Sequence, residues 1–164
     1  MQDAVMVYFD GEKYAGLLLA GVGAAVIVTA AFIVRARMDL RSFAFTLGLV
    51  AVAQVALGLG LYLRTGPRVS RLVRQLSSDP AAFRSAEGAR MARVQSNFVV
   101  IEYVELLIIV VTAFAAATQK VRPGLTGIAL GLLISASFLL AFDLVAERRG
   151  ADYLAAIGAA EHPG

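Results

Sequence analysis

Residues 98–117 read FVVIEYVELLIIVVTAFAAA, and this stretch decides the fold. A helix of about 20 predominantly apolar residues is long enough to cross the ~30 Å hydrocarbon core of a bilayer. The stretch continues a polar segment that opens at Asp79-Pro80, a pair typical of a helix N-cap and the first helical residue. The pattern predicts one long helix from Asp79 to Lys120, with its first half outside a membrane and its second half inside.

Two glutamates interrupt the apolar run. Glu102 and Glu105 are three residues apart, so they share one face of the helix. A helical wheel groups acids with apolar residues on that face: Glu87, Met91, Val94, Phe98, Glu102 and Glu105, with Arg90 and Asn97 beside it. Such a mixed face is expected to point into a helix bundle. Ionisable groups inside a membrane are costly and mark functional sites, so both glutamates are candidate site residues.

Three further apolar runs accompany this one, and 59% of the chain is hydrophobic against 16% charged. The predicted membrane spans are residues 14–34, 42–63, 98–117 and 125–145. An apolar share this high places the runs in a bilayer and not in a globular core. We therefore predict an all-α polytopic membrane protein, a four-transmembrane-helix bundle that forms a single domain over residues 1–164.

Small residues recur at intervals of about one helical turn on three of the spans. The stripes are Gly16, Ala20 and Ala24; Ala44, Gly48, Ala56 and Gly60; and Gly127, Gly131 and Ser135. Because small side chains let helix backbones approach closely, these stripes predict tight packing between spans. They are also compatible with a homo-oligomer.

The central loop contains an amphipathic segment. Arg64-Thr-Gly-Pro67 is expected to end the second span, and residues 67–77 are expected to form a separate helix in the membrane interface. Its apolar positions are Val69, Leu72, Val73 and Leu76, and its arginines Arg68, Arg71 and Arg74 would meet anionic lipid headgroups. The alternative is that the apolar side packs on the ends of the protein's own helices.

Basic residues predict the orientation. In a four-span protein the termini and the central loop share one side, which here carries ten basic residues against five in the two short connectors. Those five are Arg35, Arg37, Arg41, Lys120 and Arg122. The positive-inside rule therefore predicts cytoplasmic termini.

All the intramembrane acids lie in the leaflet next to the termini. The candidate site residues are Glu102, Glu105, Asp143, Asn97, Glu147, Arg148 and Arg64, with Gln54 near mid-membrane.

Three interpretations of these acids stay open. The acids could pair with arginines and only hold the helices in register, as in a structural or accessory subunit. They could bind or pass a proton or a hard cation such as Mg²⁺, Ca²⁺ or Mn²⁺, because oxygen ligands suit these ions; this is the leading interpretation, and it leaves the identity of any metal open. They could serve a membrane enzyme that acts on a lipid-like substrate. Gln54 could likewise make an interhelical hydrogen bond or belong to a polar pathway.

Composition narrows the chemistry. The chain has no cysteine and a single histidine, His162, so thiolate metal sites, cysteine nucleophiles and histidine-based catalysis have almost no ligands. No hydrolase, kinase or nucleotide-binding signature occurs, so an enzyme is not the favoured class. No cofactor is evident beyond a possible hard cation. No run interleaves basic and aromatic residues, so nucleic-acid binding is not expected; the expected partner is the lipid bilayer.

Four short motifs resemble a type of small bacterial four-span membrane protein. They are Tyr8-Phe-Asp-Gly, Tyr62-Leu-Arg-Thr, Arg90-Met-x-x-Val-x-x-Asn-Phe followed by Glu105, and Phe142-Asp-x-x-Ala-Glu-Arg-Arg149. The resemblance covers most of the chain. It implies the four-span architecture and the inner membrane of a bacterium, and it implies no chemistry.

Overall fold

The computed structural model describes residues 1–36, 40–118 and 122–160. Over these residues the chain forms four long α-helices. They are α1 (Gln2–Arg35), α2 (Arg41–Ser78), α3 (Pro80–Ala117) and α4 (Pro123–Ala159). The all-α prediction is confirmed, and α1 packs along α2, α3 packs along α4, and α2 also meets α4.

Each helix contains a segment that is long and apolar enough to cross a membrane. These segments expose large apolar side chains, for example Leu49 at 76% and Phe114 at 71%. Apolar surface on this scale suits lipid as its surroundings. By helix length and hydropathy the chain is a multi-pass membrane protein. Arg37 and Lys120, which entered the orientation argument, and His162 lie outside the described residues.

The prediction for α3 is confirmed in its start and in its buried face. The backbone N–H of Ala82 donates to Asp79 Oδ1 at 3.0 Å, so Asp79 is the N-cap. On the face that the helical wheel assigns to the interior, Glu87, Met91 and Glu105 are all buried. The acids on α3 therefore point into the bundle.

The separate interfacial helix predicted for residues 67–77 is wrong, because α2 continues through Pro67 to Ser78 without a break. The apolar side of this segment, Val69, Leu72, Val73 and Leu76, packs against a buried core formed with the other helices. Burial against that core gives these side chains the apolar contact that a membrane interface would otherwise supply. The alternative left open by the sequence, packing on the protein's own helix ends, is the one that the structure supports.

All four helices extend beyond their apolar runs on the same side, and together these extensions form a second helical bundle. We call it the head; it consists of residues 2–13, 64–78, 80–97 and 146–159. Its core contains Val5, Tyr8, Phe9, Phe83, Met91, Tyr153 and Ile157. Val5, Phe9, Phe83 and Met91 are its largest fully buried side chains. The head is therefore held together by a hydrophobic core, as in a water-soluble helical bundle, and it is formed by the ends of the membrane helices.

Within the membrane segments, α1 and α2 touch backbone to backbone. A Cβ built on Gly58 would lie 2.5 Å from the carbonyl oxygen of Gly16 and 2.7 Å from the amide nitrogen of Ala20. The predicted close packing is confirmed at Gly16 and Ala20 on α1. On α2 the contact falls on Gly58, whereas a Cβ on Gly60 would meet nothing within 4 Å. The predicted stripe is therefore two residues out of register at this point.

The stripe on α4 packs on the start of α2. A Cβ on Gly127 would lie 2.5 Å from Ser42 Oγ, and one on Gly131 would lie 2.9 Å from Thr46 Cβ. Ser135, the third member, is buried. Contacts within one chain account for these close approaches, and a homo-oligomer stays a prediction.

Candidate functional site

Carboxyl groups from α3 and α4 meet where the apolar segments adjoin the head. Glu102 lies close to Glu147 and within electrostatic reach of Asp143, and Glu105 is near Asp143 and Glu102. Glu105 is only 7% exposed, while the other three are half-buried. We call these four residues the carboxyl cluster. The sequence placed all four at this level, and the structure brings them together across the α3–α4 interface.

Two oxygens of the carboxyl cluster are buried without a partner. Among the described residues, Glu102 Oε1 and Glu105 Oε2 accept no hydrogen bond. Burial of a carboxylate without a cation or a donor favours its neutral form, because desolvation opposes the charge. Two neighbouring carboxyl groups can share one proton, and Glu102 lies near Glu147. The arrangement is therefore suited to holding protons.

The other predicted site residues make no direct polar contact with this cluster in the described part of the chain. Arg148 and Asn97 are exposed, and Arg64 is exposed on α2. Gln54 is buried on α2 at 5% exposure. In the part of the chain that the structure describes, none of these four side chains forms a hydrogen bond or a salt bridge with an acid of the carboxyl cluster. The four acids are therefore neighbours of one another, and the roles of all eight predicted site residues stay predictions.

The side chains of the described residues are not arranged as a metal site of several ligands. Within residues 1–36, 40–118 and 122–160, no three or more Asp, Glu, His or Cys side chains are placed to hold a metal ion together. Ca²⁺ takes about six to eight oxygen ligands, many of them from protein, whereas Mg²⁺ keeps several waters and binds through one or two carboxylates. The described residues therefore provide no multi-carboxylate site of the kind that Ca²⁺ uses.

The head contains a polar network that the sequence did not single out. Arg90 donates two hydrogen bonds to Glu87, at 2.6 and 2.8 Å, and the Tyr153 hydroxyl donates to Glu87 at 3.4 Å. Glu87 is 3% exposed, and the Arg90 guanidinium neutralises its charge inside the core. The i, i+3 spacing of Glu87 and Arg90 was the signal available in the sequence. The burial of that pair depends on α4, which periodicity in α3 cannot show.

An aromatic group stands beside this network. The rings of Tyr8 and Tyr153 stack with centroids 4.6 Å apart, and Phe9 meets Tyr8 edge-on at 4.9 Å. The Tyr8 hydroxyl donates to Glu12 at 3.2 Å. Burial, together with the charge of Glu12, raises the pKa of Tyr8 to about 12. Burial also raises the pKa of Glu12, although the Tyr8 hydrogen bond and nearby arginines act in the opposite direction.

Arg149 ties α4 to α1 at the base of the head. Its guanidinium donates a hydrogen bond to the carbonyl oxygen of Gly11. On the α3 side, Gln95 donates to the carbonyl oxygen of Glu147 at 3.0 Å. Both bonds lie close in sequence to the acids on α4. The end of α4 that carries Glu147 is therefore held from two sides, which positions one wall of the carboxyl cluster.

Comparisons with protein-family models, with curated proteins and with solved structures find no match. The resemblance to a bacterial four-span type therefore stays a prediction. What stands is the architecture: four helices, each able to span a membrane by length and composition, in the described part of the chain.

Proposed function

We propose that this multi-pass membrane protein binds or passes a proton or a small cation at the carboxyl cluster, and that the proton is the favoured ligand. The observation that supports the proposal is the pair of buried, unpartnered oxygens on Glu102 and Glu105. A carboxyl group in that state can accept and release a proton without breaking an ion pair. Its position on α3, about one to two turns inside the apolar run, keeps it within reach of the aqueous side next to the head.

In the part of the chain that the structure describes, no salt bridge reaches the carboxyl cluster, and this supports the proposal over its competitor. A structural or accessory subunit with arginine-neutralised acids predicts salt bridges to the carboxyl cluster. Among the described residues the salt bridge present is Arg90–Glu87, which lies in the head. Arg148, the arginine nearest in sequence to Glu147, is exposed. The geometry therefore favours titratable acids over a fixed ion-pair network.

The test is the substitution Glu105→Gln, which keeps the shape of the side chain and removes its ability to titrate. If Glu105 holds a proton, we expect the purified variant to unfold within ~1 kcal/mol of the wild type, since a neutral amide replaces a neutral acid. If Glu105 were half of a buried ion pair, the same change would cost ~3–5 kcal/mol. Infrared difference spectra across pH should show a protonated-carboxyl band in the wild type that Glu105→Gln loses.

Asp152→Asn is the matched control, because Asp152 is an exposed acid on α4 outside the carboxyl cluster. This variant should keep both the stability and the infrared band of the wild type. If the band persists in Glu105→Gln but disappears in Glu102→Gln, the protonated residue is Glu102. A band unchanged in both variants would refute the proposal.

We propose that the protein lies in the inner membrane of a bacterium, with the head and both chain ends on the cytoplasmic side. The excess of basic residues on the head side supports this orientation. Reporter fusions inserted at residues 37–39 and 119–121 should report the outside of the cell. A cytoplasmic signal from both positions would reverse the orientation.

A further inference from the structure

A groove opens between α2 and α3 at the base of the head. It encloses about 590 Å³. Four arginines line it: Arg64, Arg68 and Arg71 from α2, and Arg90 from α3. The three on α2 fall at i, i+4 and i+7, so continuation of α2 as one helix through Pro67 sets them on a single face.

The groove carries excess positive charge. Glu87 is the acid on its lining, and it is already bound by Arg90. In the described part of the chain, Arg64, Arg68 and Arg71 form no salt bridge. The Arg68 guanidinium lies over the Phe9 ring, 5.9 Å from its centroid, which is within the range of a cation–π contact. Arg64, Arg68 and Arg71 therefore line the groove without a salt-bridged carboxylate among the described residues, and guanidinium groups in this state suit a phosphate group.

The arginines of the groove lie at a distance from the hydrocarbon core that corresponds to the lipid headgroup layer. Arg64 directly follows the apolar run 42–63. At 1.5 Å per residue, Arg68 and Arg71 lie about 6 and about 10 Å further from the hydrocarbon core. The headgroup layer is about 5–7 Å thick on each side of a bilayer, so Arg64 and Arg68 fall at the level of lipid phosphates.

An apolar depression continues from the groove toward the membrane interior. It encloses about 350 Å³ and shares Arg64 and Arg68 with the groove. Its floor is the α2 surface at Ala56, Leu57, Gly60 and Leu61. Leu57 is 66% exposed, and Gly60 adds no side chain to fill the space. Glu12 also borders this depression and lies near Arg68, so Arg64 and Arg71 carry the positive charge that is farthest from an acid.

We propose that this groove and depression form one binding site for an anionic phospholipid. Arg64 and Arg68 bind the phosphate, Arg71 contacts the outer end of the headgroup, and one acyl chain lies along α2 over Leu57 and Gly60. The charge of the groove, its depth and the apolar floor below it fit the two ends of a phospholipid. Neither a soluble phosphate compound nor a neutral lipid would use both parts.

The experiment measures binding of phosphatidylglycerol and of phosphatidylcholine to the purified protein in detergent, by native mass spectrometry and by thermal stabilisation. We expect phosphatidylglycerol to bind more tightly, with an advantage that shrinks as salt is added. The double variant Arg64→Gln/Arg71→Gln removes two exposed arginines from the groove. It should weaken phosphatidylglycerol binding by about 30-fold, from roughly fivefold per arginine.

The matched control is Arg74→Gln/Arg93→Gln, which removes the same charge from two exposed arginines outside the groove lining. It should retain most of the wild-type binding. A second variant, Gly60→Leu, places a side chain in the acyl-chain path; a Cβ there meets nothing within 4 Å, so the fold should tolerate it. Gly60→Leu should weaken phosphatidylglycerol binding and leave the affinity for glycerol phosphate unchanged.

Three results would overturn the proposal. The first is equal affinity for phosphatidylglycerol and phosphatidylcholine. The second is an equal loss of binding in the groove variant and the control variant, which would indicate general attraction to a basic surface. The third is glycerol phosphate binding as tightly as the lipid, which would make this a site for soluble phosphate compounds.

Discussion

Replacing Gly58 by alanine tests the closest helix contact in the protein. The added Cβ would lie 2.5 Å from the Gly16 carbonyl oxygen and 2.7 Å from the Ala20 amide nitrogen. The first of these distances is about 1 Å shorter than the 3.4 Å at which ordinary contact begins. Both partners are backbone atoms, which no rotamer change can move. The two helices must therefore separate along the whole contact.

The cost follows from that separation. Forcing extra atoms into a packed interface costs ~1–3 kcal/mol. Alanine recovers up to ~1 kcal/mol because it is a better helix former than glycine. We expect Gly58→Ala to lose ~1–2 kcal/mol of stability overall, since separation also loosens the contact between Gly23 and Ala51 further along the helices.

Gly60→Ala is the matched control, two residues away on the same helix with nothing within 4 Å of its new Cβ. It should gain up to ~1 kcal/mol from helix propensity alone. The two variants should therefore differ by ~2–3 kcal/mol, or about 5–10 °C in unfolding temperature for a chain of this size. Circular dichroism in detergent measures both. Equal unfolding temperatures for Gly58→Ala and Gly60→Ala would refute the backbone contact between α1 and α2.

Three further predictions concern the head. Burial raises the pKa of Glu12 above its usual 4.5, so its stabilising contribution is complete below pH 4.5 and is lost as the pH rises through the folded pKa. Glu12→Gln should therefore unfold at a higher temperature than the wild type at about pH 8, and at the same temperature at about pH 4; the reverse order would contradict the sign. Met91→Ala leaves a cavity at a fully buried position, so it should lower the free energy of unfolding by ~2–5 kcal/mol and make the head sensitive to protease. If the variant resisted protease as well as the wild type does, Met91 would not be needed for the core of the head. Glu87→Gln removes the charged partner of Arg90 and should cost ~1–3 kcal/mol by thermal unfolding at neutral pH, whereas an unchanged midpoint would show that the pair adds no net stability.

Several features of the fold were readable from the sequence because they depend on one helix at a time. Apolar runs of membrane length predict the spans, and Asp79 before Pro80 predicts the start of α3. The periodicity of α3 predicts which face carries Glu105 into the interior. The level of the four acids in the bilayer follows from their distance to the ends of the apolar runs.

Only the tertiary structure decided which surfaces touch. The sequence could not tell whether Val69 and Leu72 face lipid or protein, because an apolar helix side is equally suited to both. It could not choose Gly58 over Gly60, because small residues permit a close approach on any face and the partner backbone selects one. It placed arginines near the acids, yet the structure directs Arg64 into the α2–α3 groove. Periodicity specifies the faces of each helix, whereas the pairing of faces depends on the packing of all four helices together, and among the described residues that packing forms no salt bridge to the carboxyl cluster.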